Sequence, residues 1–423
     1  MSAREESAKN AFRIYINRFF IHPLSQDCLF PHFDLAIVIP SYGETHLQKT
    51  LKSLFSNPVQ PGFEVLILVV INHRREDAGE IKKQNAADLE ALSRLSAGPA
   101  PFHLRVLDAR ELEDRNAGVG LARKIGMDAC VLSLAERGGN PFLVCLDADC
   151  EVADHYLQSL RDISQRPEVE LATLEFSHLL PERPDEDLAR GIVFYEMFLE
   201  YYRMGLFRAG YPFFQHTVGS SMACRALPYA LSGGMNQRKA AEDFYFLHKL
   251  FPHYNSVELP GPLVFPSCRI SERVPFGTGR FQQNWKRENK KELKSYHPEI
   301  FKGLGFWLRG VENCIEGEAD PALFKPFLTW HPGSAAYLEQ EKTWIYLHQI
   351  RKASPGIPGR RKALYRWFDG LKVLKFVHHF QPFFPEMEIA EALRHIFPES
   401  EKAGNPAEKI RMVRNYLWGQ GSQ

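Results

Sequence analysis

The sequence holds no stretch of about 18 consecutive apolar residues, so no helix long enough to span a bilayer is expected. Its first ten residues mix both charge signs and lead into no apolar core, so no secretory leader is expected either. An excess of either charge is missing as well. Lys and Arg total 52 against 51 Asp and Glu, a net of +1, which leaves no global field to attract nucleic acid. The seven cysteines, Cys28, Cys130, Cys145, Cys150, Cys224, Cys268 and Cys314, are odd in number and form no C-x-x-C pair. They read as reduced structural thiols of a cytoplasmic protein. Also missing are a His-Glu-x-x-His zinc motif, a serine nucleophile elbow, a phosphate-binding P-loop and any internal repeat.

What remains is a chain of 423 residues, 44% hydrophobic and 24% charged, enough for one large domain and an appendage. The spacing predicts a short helix over residues 6–21. Leu35-Ala36-Ile37-Val38-Ile39 is apolar on both alternating faces, the mark of a central parallel strand covered on two sides. Leu47, Leu51 and Leu54 recur at helical spacing up to Asn57-Pro58. Val65–Ile71, His103–Leu107 and Phe142–Leu146 read as further strands, with helices over about 78–95 and 118–134 between them. Strand and helix in alternation imply an α/β fold with a doubly wound, mostly parallel sheet. Ligands of such sheets sit outside the carboxyl ends of the strands. That edge is where Ser41 to Glu44, Asn72, Asp108 and Asp147 to Asp149 fall. Weaker signals give strands at 169–176, 217–223 and 263–265 and helices at 187–204 and 240–250. From about residue 290 the spacing is helical, aromatic and broken by Pro and Gly. The expected organisation is an N-terminal helical extension (1–32), an α/β domain (33–290) and a helical C-terminal region (291–423).

Five features carry candidate chemistry, each with a plainer alternative. Asp147-x-Asp149 closes an apolar strand with two carboxylates. Hard oxygen donors suit Mg²⁺ or Mn²⁺ shared with substrate phosphates, although Asp is also common in a strand-to-loop turn. Pro40-Ser41-Tyr42-Gly43-Glu44 ends the first strand, where Tyr42 can stack on a flat base or simply line a capped loop. Gly118 to Lys124 fails as a dinucleotide fingerprint, because Arg123 occupies the third Gly position and no strand directly precedes it. Arg123 or Lys124 can instead clamp a diphosphate, unless they are ordinary solvated helix charges. Glu242-Asp243 opens a helix after Ser232-Gly233-Gly234-Met235, a place for a general base or for a helix cap. Arg269, Arg273, Arg280, Lys286 and Arg287 surround Pro275-Phe276-Gly277-Thr278-Gly279 and form either a phosphate-closing loop or a solvated one.

Taken in order, Ile37 to Tyr42, Gly118 to Lys124, Leu146 to Asp149, Gly233-Gly234 and Glu242-Asp243 resemble the family 2 glycosyltransferases of the GT-A fold over residues 33–270. The resemblance implies a nucleotide-sugar donor and Mg²⁺ or Mn²⁺. It implies that Asp149 binds the metal, with Asp147 near the metal or the ribose, and that Asp243, beside Glu242, is the base of an inverting transfer. It also implies that Tyr42 and Glu44 lie by the nucleoside, next to Pro40 and Ser41. The chain departs from the pattern at Asn72, where the family's second strand usually ends in a base-reading Asp. Gln282 to Arg287 matches only loosely the Gln- and Trp-containing motif of processive, membrane-embedded members. Retaining GT-A enzymes share the D-x-D and add a later His to the metal, for which His216 is the candidate. A sugar-nucleotidyltransferase and a non-catalytic nucleotide-sugar-binding protein are the other readings. The acceptor is open, and peripheral contact with the inner face of a membrane would bring a lipid-linked one within reach.

Overall fold

The computed structural model describes residues 3–20, 29–95, 100–112, 117–180, 186–238, 240–270, 277–288 and 292–421. Cys28, Arg273, Pro275 and Phe276 lie outside the described residues. The chain forms two compact units. One comprises Met1–Pro181, Thr217–Arg269 and Arg273–Pro275, the other Glu182–His216, Ile270–Glu272 and Phe276–Gln423.

The first unit is built on an eight-stranded sheet. In chain order its elements are α1 (Ala3–Phe19), β1 (Leu35–Ser41), α2 (Leu47–Phe55), β2 (Val65–Arg74), α3 (Gly79–Arg94), β3 (Phe102–Leu112), α4 (Val119–Arg137), β4 (Phe142–Cys145), β5 (Cys150–Val152), α5 (Tyr156–Ser164) and β6 (Leu171–Phe176). The helix α6 (Glu186–Ala209) belongs to the second unit, after which the first resumes with β7 (Met222–Arg225), α7 (Ala226–Leu231), α8 (Glu242–Leu250) and β8 (Ser256–Pro266). The strand order is β3-β2-β1-β4-β7-β6-β8-β5. β3, β2, β1 and β4 run parallel, and β7 is antiparallel to both β4 and β6. β6 and β8 are parallel, and β5 pairs antiparallel at the edge.

The expected fold class is the one observed: a doubly wound α/β sheet followed by a helical C-terminal part. Every residue of β1 is buried, and so is every residue of β2 before Arg74. Two-sided burial is what the unbroken aliphatic runs demand, each fully buried Val, Leu or Ile contributing roughly 1.5–3 kcal/mol. α4 is buried along nearly its whole length, Gly120 to Ala135.

The second unit is helical. Met197, Tyr201 and Met204 of α6 share one apolar core with Trp285, Phe301, Leu304, Trp307 and the helices that follow, ending in the helix Pro406–Gly421. One departure from the purely helical expectation is a two-residue ladder, Lys294–Ser295 against Met387–Glu388. No helix among the described residues is long and apolar enough to cross a membrane.

Candidate active site at the carboxyl edge of the sheet

β1 and β4 pair in register, Leu35 with Phe142 through Val38 with Cys145, so their carboxyl ends open at the same edge. Asp147 and Asp149 follow β4 there and are 36% and 27% exposed at the side chain. Glu242 and Asp243 reach the same place from the start of α8. The residue before them, Ala241, sits in the left-handed region at φ 57°, a conformation that costs a non-Gly residue about 1–2 kcal/mol. Such strain is held by surrounding structure and concentrates at functional sites. Upstream, Gly233 and Gly234 take φ 76° and 70°, values open to glycine without that cost.

Arg123 ties these elements together. It projects from the second turn of α4, is almost wholly buried, and forms ion pairs with both Asp147 and Glu242. Its guanidinium lies against Gly219, where a Cβ would stand 2.4 Å from Nη2. Burial alone would lower the Arg123 pKa, but the carboxylates of Asp147 and Glu242 override it and hold the group above its ordinary value. Burial pushes the carboxyls of Glu242 and Asp243 up, and Arg123 partly offsets that rise. Asp243 accepts the backbone N–H of Phe244 at 2.8 Å, and Asn236 Nδ2 donates to the carbonyl of Glu242 at 2.8 Å.

A second guanidinium serves the outer carboxylates. Arg269 Nη1 donates to Glu44 Oε1 at 2.8 Å, and its Nη2 donates to Asp149 Oδ2 at 3.0 Å and to the other Glu44 oxygen. Glu44 Oε1 also accepts from the backbone N–H of His46 at 3.0 Å. The expected nucleoside side is built from β1 and β2. Asn72 Nδ2 donates to the Ser41 carbonyl at 3.0 Å, and Asn85 Nδ2 donates to the Asn72 carbonyl at 2.9 Å. Asn85 Oδ1 accepts from Gly43 N at 2.8 Å, which pins the loop after Pro40-Ser41. The Tyr42 hydroxyl is raised above its usual pKa by burial and by its hydrogen bond to Asp77.

Among the residues expected from the sequence, the structure pairs Arg123 with Asp147 and Glu242, and Arg269 with Glu44 and Asp149, while Asp243 adjoins the first set through Glu242. Lys124 goes elsewhere. Its ammonium is buried 2.9 Å from Asp128 Oδ2 and 2.7 Å from the Tyr15 hydroxyl, on the face of α4 that α1 covers. His216 belongs to the second unit, with Nε2 3.1 Å from Glu200 Oε1. Asp77, Asn85 and His46 carried no signal in the sequence beyond their position after a strand. Burial pushes the Cys145 thiol up to about 12 and raises Cys150 as well, so neither is a nucleophile at neutral pH. A cavity of about 460 Å³ lies at the opposite, amino edge, around Phe33, Asn140 and Arg225. Arg225 is saturated there by the carbonyls of Asn140, Ser164, Arg166 and Val169.

Asp147 and Asp149 present partly exposed carboxylate oxygens, the donors Mg²⁺ and Mn²⁺ prefer. No group of three or more His, Cys, Asp or Glu that could hold a metal occurs among the described residues. Two carboxylates do not make a closed protein cage, and a hard cation held by them would complete its shell with phosphate and water.

No family model and no curated protein matches the chain. Solved structures do resemble it. Residues 1–349 of TarS from S. aureus, in complex with UDP-GlcNAc, align at a TM-score of 0.38 and 14% identity over 71% of this chain and 72% of that one. The mannosyltransferase PcManGT from Pyrobaculum calidifontis, in complex with GDP-Man and Mn²⁺, aligns at 0.35 and 14% identity over 90% and 96%. Likeness at this level carries no argument about the chain's activity.

Proposed function

We propose that this chain is a metal-dependent, inverting glycosyltransferase that moves a sugar from a nucleoside-diphosphate donor to an acceptor hydroxyl. The observation that carries the reading is the ion-paired link from Asp147, beside Asp149, through Arg123 to Glu242-Asp243 at the carboxyl edge of the sheet. The family 2 resemblance assigns a metal-binding end and a base to the same residues. A Mg²⁺ or Mn²⁺ ion held by Asp149 and Asp147 would neutralise charge on the leaving diphosphate.

The chain's own groups do the rest. Tyr42, Asn72 and the Pro40-Ser41 turn border the nucleoside. Arg123 orients Asp147 and Glu242 rather than clamping phosphate, because its guanidinium is already engaged by both. Lys124 is assigned no part. Asp243, its carboxyl raised by burial, takes the proton from the acceptor hydroxyl as that oxygen bonds to the anomeric carbon. The bond to the diphosphate breaks, and the diphosphate leaves with the electron pair. A cytoplasmic location, with peripheral access to an acceptor at the inner membrane face, belongs to the same proposal.

Asp243→Asn tests the assignment. Transfer is expected to fall by about 10²–10⁴-fold, the worth of a positioned base, while donor affinity stays near wild type. Equal loss of donor binding would make Asp243 a structural residue instead.

A further inference from the structure

Arg269 follows β8 and spans two carboxylates that the proposed chemistry treats differently. Its fork grips Glu44 through both nitrogens, with Nη1 2.8 Å from Oε1. The Glu44 carboxylate is only 4% exposed, so that end of the contact is fixed. At the other end Nη2 lies 3.0 Å from Asp149 Oδ2, and there both partners are 27% exposed. A guanidinium carries its charge throughout the neutral range. His46 Nδ1 stands 3.2 Å from both Nη1 and Glu44 Oε1. Arg269 is thus a cation on Asp149 that is anchored on a second, buried carboxylate.

We propose that Arg269 holds the place of the divalent ion on Asp149 until a nucleoside diphosphate arrives, and that it thereby couples metal binding to donor binding. This inference rests on the reading of Asp149 as a metal ligand. A guanidinium and a divalent cation repel each other at one carboxylate oxygen, so the ion alone meets an occupied site. A diphosphate offers the guanidinium a pair of anionic oxygens in the planar arrangement it binds best. Turned toward them, Arg269 releases Asp149 and keeps Glu44. Each ligand then favours the other by the same factor, as linkage requires.

Calorimetric titration of Mn²⁺, and of UDP or GDP, each alone and each with the other present, tests this when corrected for chelation by free nucleotide. Wild type is expected to bind Mn²⁺ weakly alone and about tenfold or more tightly with the diphosphate, within the usual span of coupling between sites. In Arg269→Gln, Mn²⁺ alone should bind about tenfold more tightly, and the mutual enhancement should shrink by about the same factor, to what direct phosphate coordination supplies. Arg269→Lys, which keeps the charge, should stay near wild type for Mn²⁺ alone. Unchanged or weaker Mn²⁺ binding in a folded Arg269→Gln, or Lys behaving as Gln does, would overturn the proposal. Equal UDP and GDP binding by wild type in Mn²⁺ and in EDTA would instead overturn the metal reading on which it rests.

Discussion

Each unit buries a network of charged side chains, and the two are balanced differently. In the second unit Glu196 and Glu200 of α6 meet Arg203, His216 and, from the helix Pro406–Gly421, Arg414. Arg414 Nε donates to Glu200 Oε1 at 2.7 Å, and its Nη2 donates to Glu196 at 3.1 Å. Cations there equal or exceed carboxylates, and the whole set is withdrawn from water. In the first unit Arg123 and Arg269 face Asp147, Glu242, Glu44 and Asp149, with Asp243 alongside, and the D-x-D carboxylates stay partly open. A closed and balanced network fastens helices. On the proposed reading, the partly open network is the one that receives a cation. Exposure, rather than the presence of charge, separates the proposed chemical site from the structural network.

Removing a member from each network sharpens that contrast. The largest effect is expected from Asp149→Ala, which should cut sugar transfer by at least about 10³-fold, roughly 4 kcal/mol of transition-state stabilisation. Its urea midpoint should barely move, because a half-open carboxylate supports little of the fold. A large loss of stability with modest loss of turnover would reverse the assignment of the two networks. Arg414→Ala should do the opposite, costing about 3–5 kcal/mol by leaving Glu196 and Glu200 buried and under-compensated. Urea denaturation followed by tryptophan fluorescence reads this directly, since five of the six tryptophans of the chain, Trp285, Trp307, Trp330, Trp344 and Trp367, belong to the core of the second unit.

The same comparison appears, more gently, in pH dependence. Burial pushes the Glu200 pKa up, but His216, Arg414 and Arg203 outweigh it and hold the carboxyl far below the usual carboxylate range. A depressed folded pKa means that its contribution is fully present above the unfolded value, about 4.3, and is lost as the pH falls below it. Asp243 is shifted the other way, so ionising it takes a pH above the usual carboxylate range. Transfer activity should therefore rise with pH through a midpoint above that range, above the window in which the Glu200 contribution is lost. Hydrogen exchange over α6 and a pH–rate profile on one preparation separate the two. Activity and α6 protection falling together would break the distinction.

The sequence carried some of this openly. β1 and β2 were legible because two-sided burial writes itself as unbroken aliphatic runs, and the carboxyl edge followed from their alternation with helices. The far half of the sheet was much less so. β5 and β7 are short, and β8, Ser256–Pro266, is interrupted by Pro260-Gly261, so only Leu263 to Phe265 stood out. In the site, Asp147-x-Asp149 and Glu242-Asp243 were visible as motifs. Their linkage was not, because Arg123 reaches Glu242 across 119 positions and Arg269 reaches Glu44 across 225. Arg123 and Lys124 were interchangeable on paper. About 100° of helical turn between neighbours sends one to the carboxylates and the other to Asp128 and Tyr15.

The central claim is tested most directly by incubating the wild-type protein with UDP- and GDP-linked sugars and Mn²⁺, without acceptor, and measuring the free nucleoside diphosphate released. Slow release from one donor class, abolished by EDTA and restored by added Mn²⁺, is the predicted result. No release from any donor, or release that EDTA leaves untouched, would contradict it.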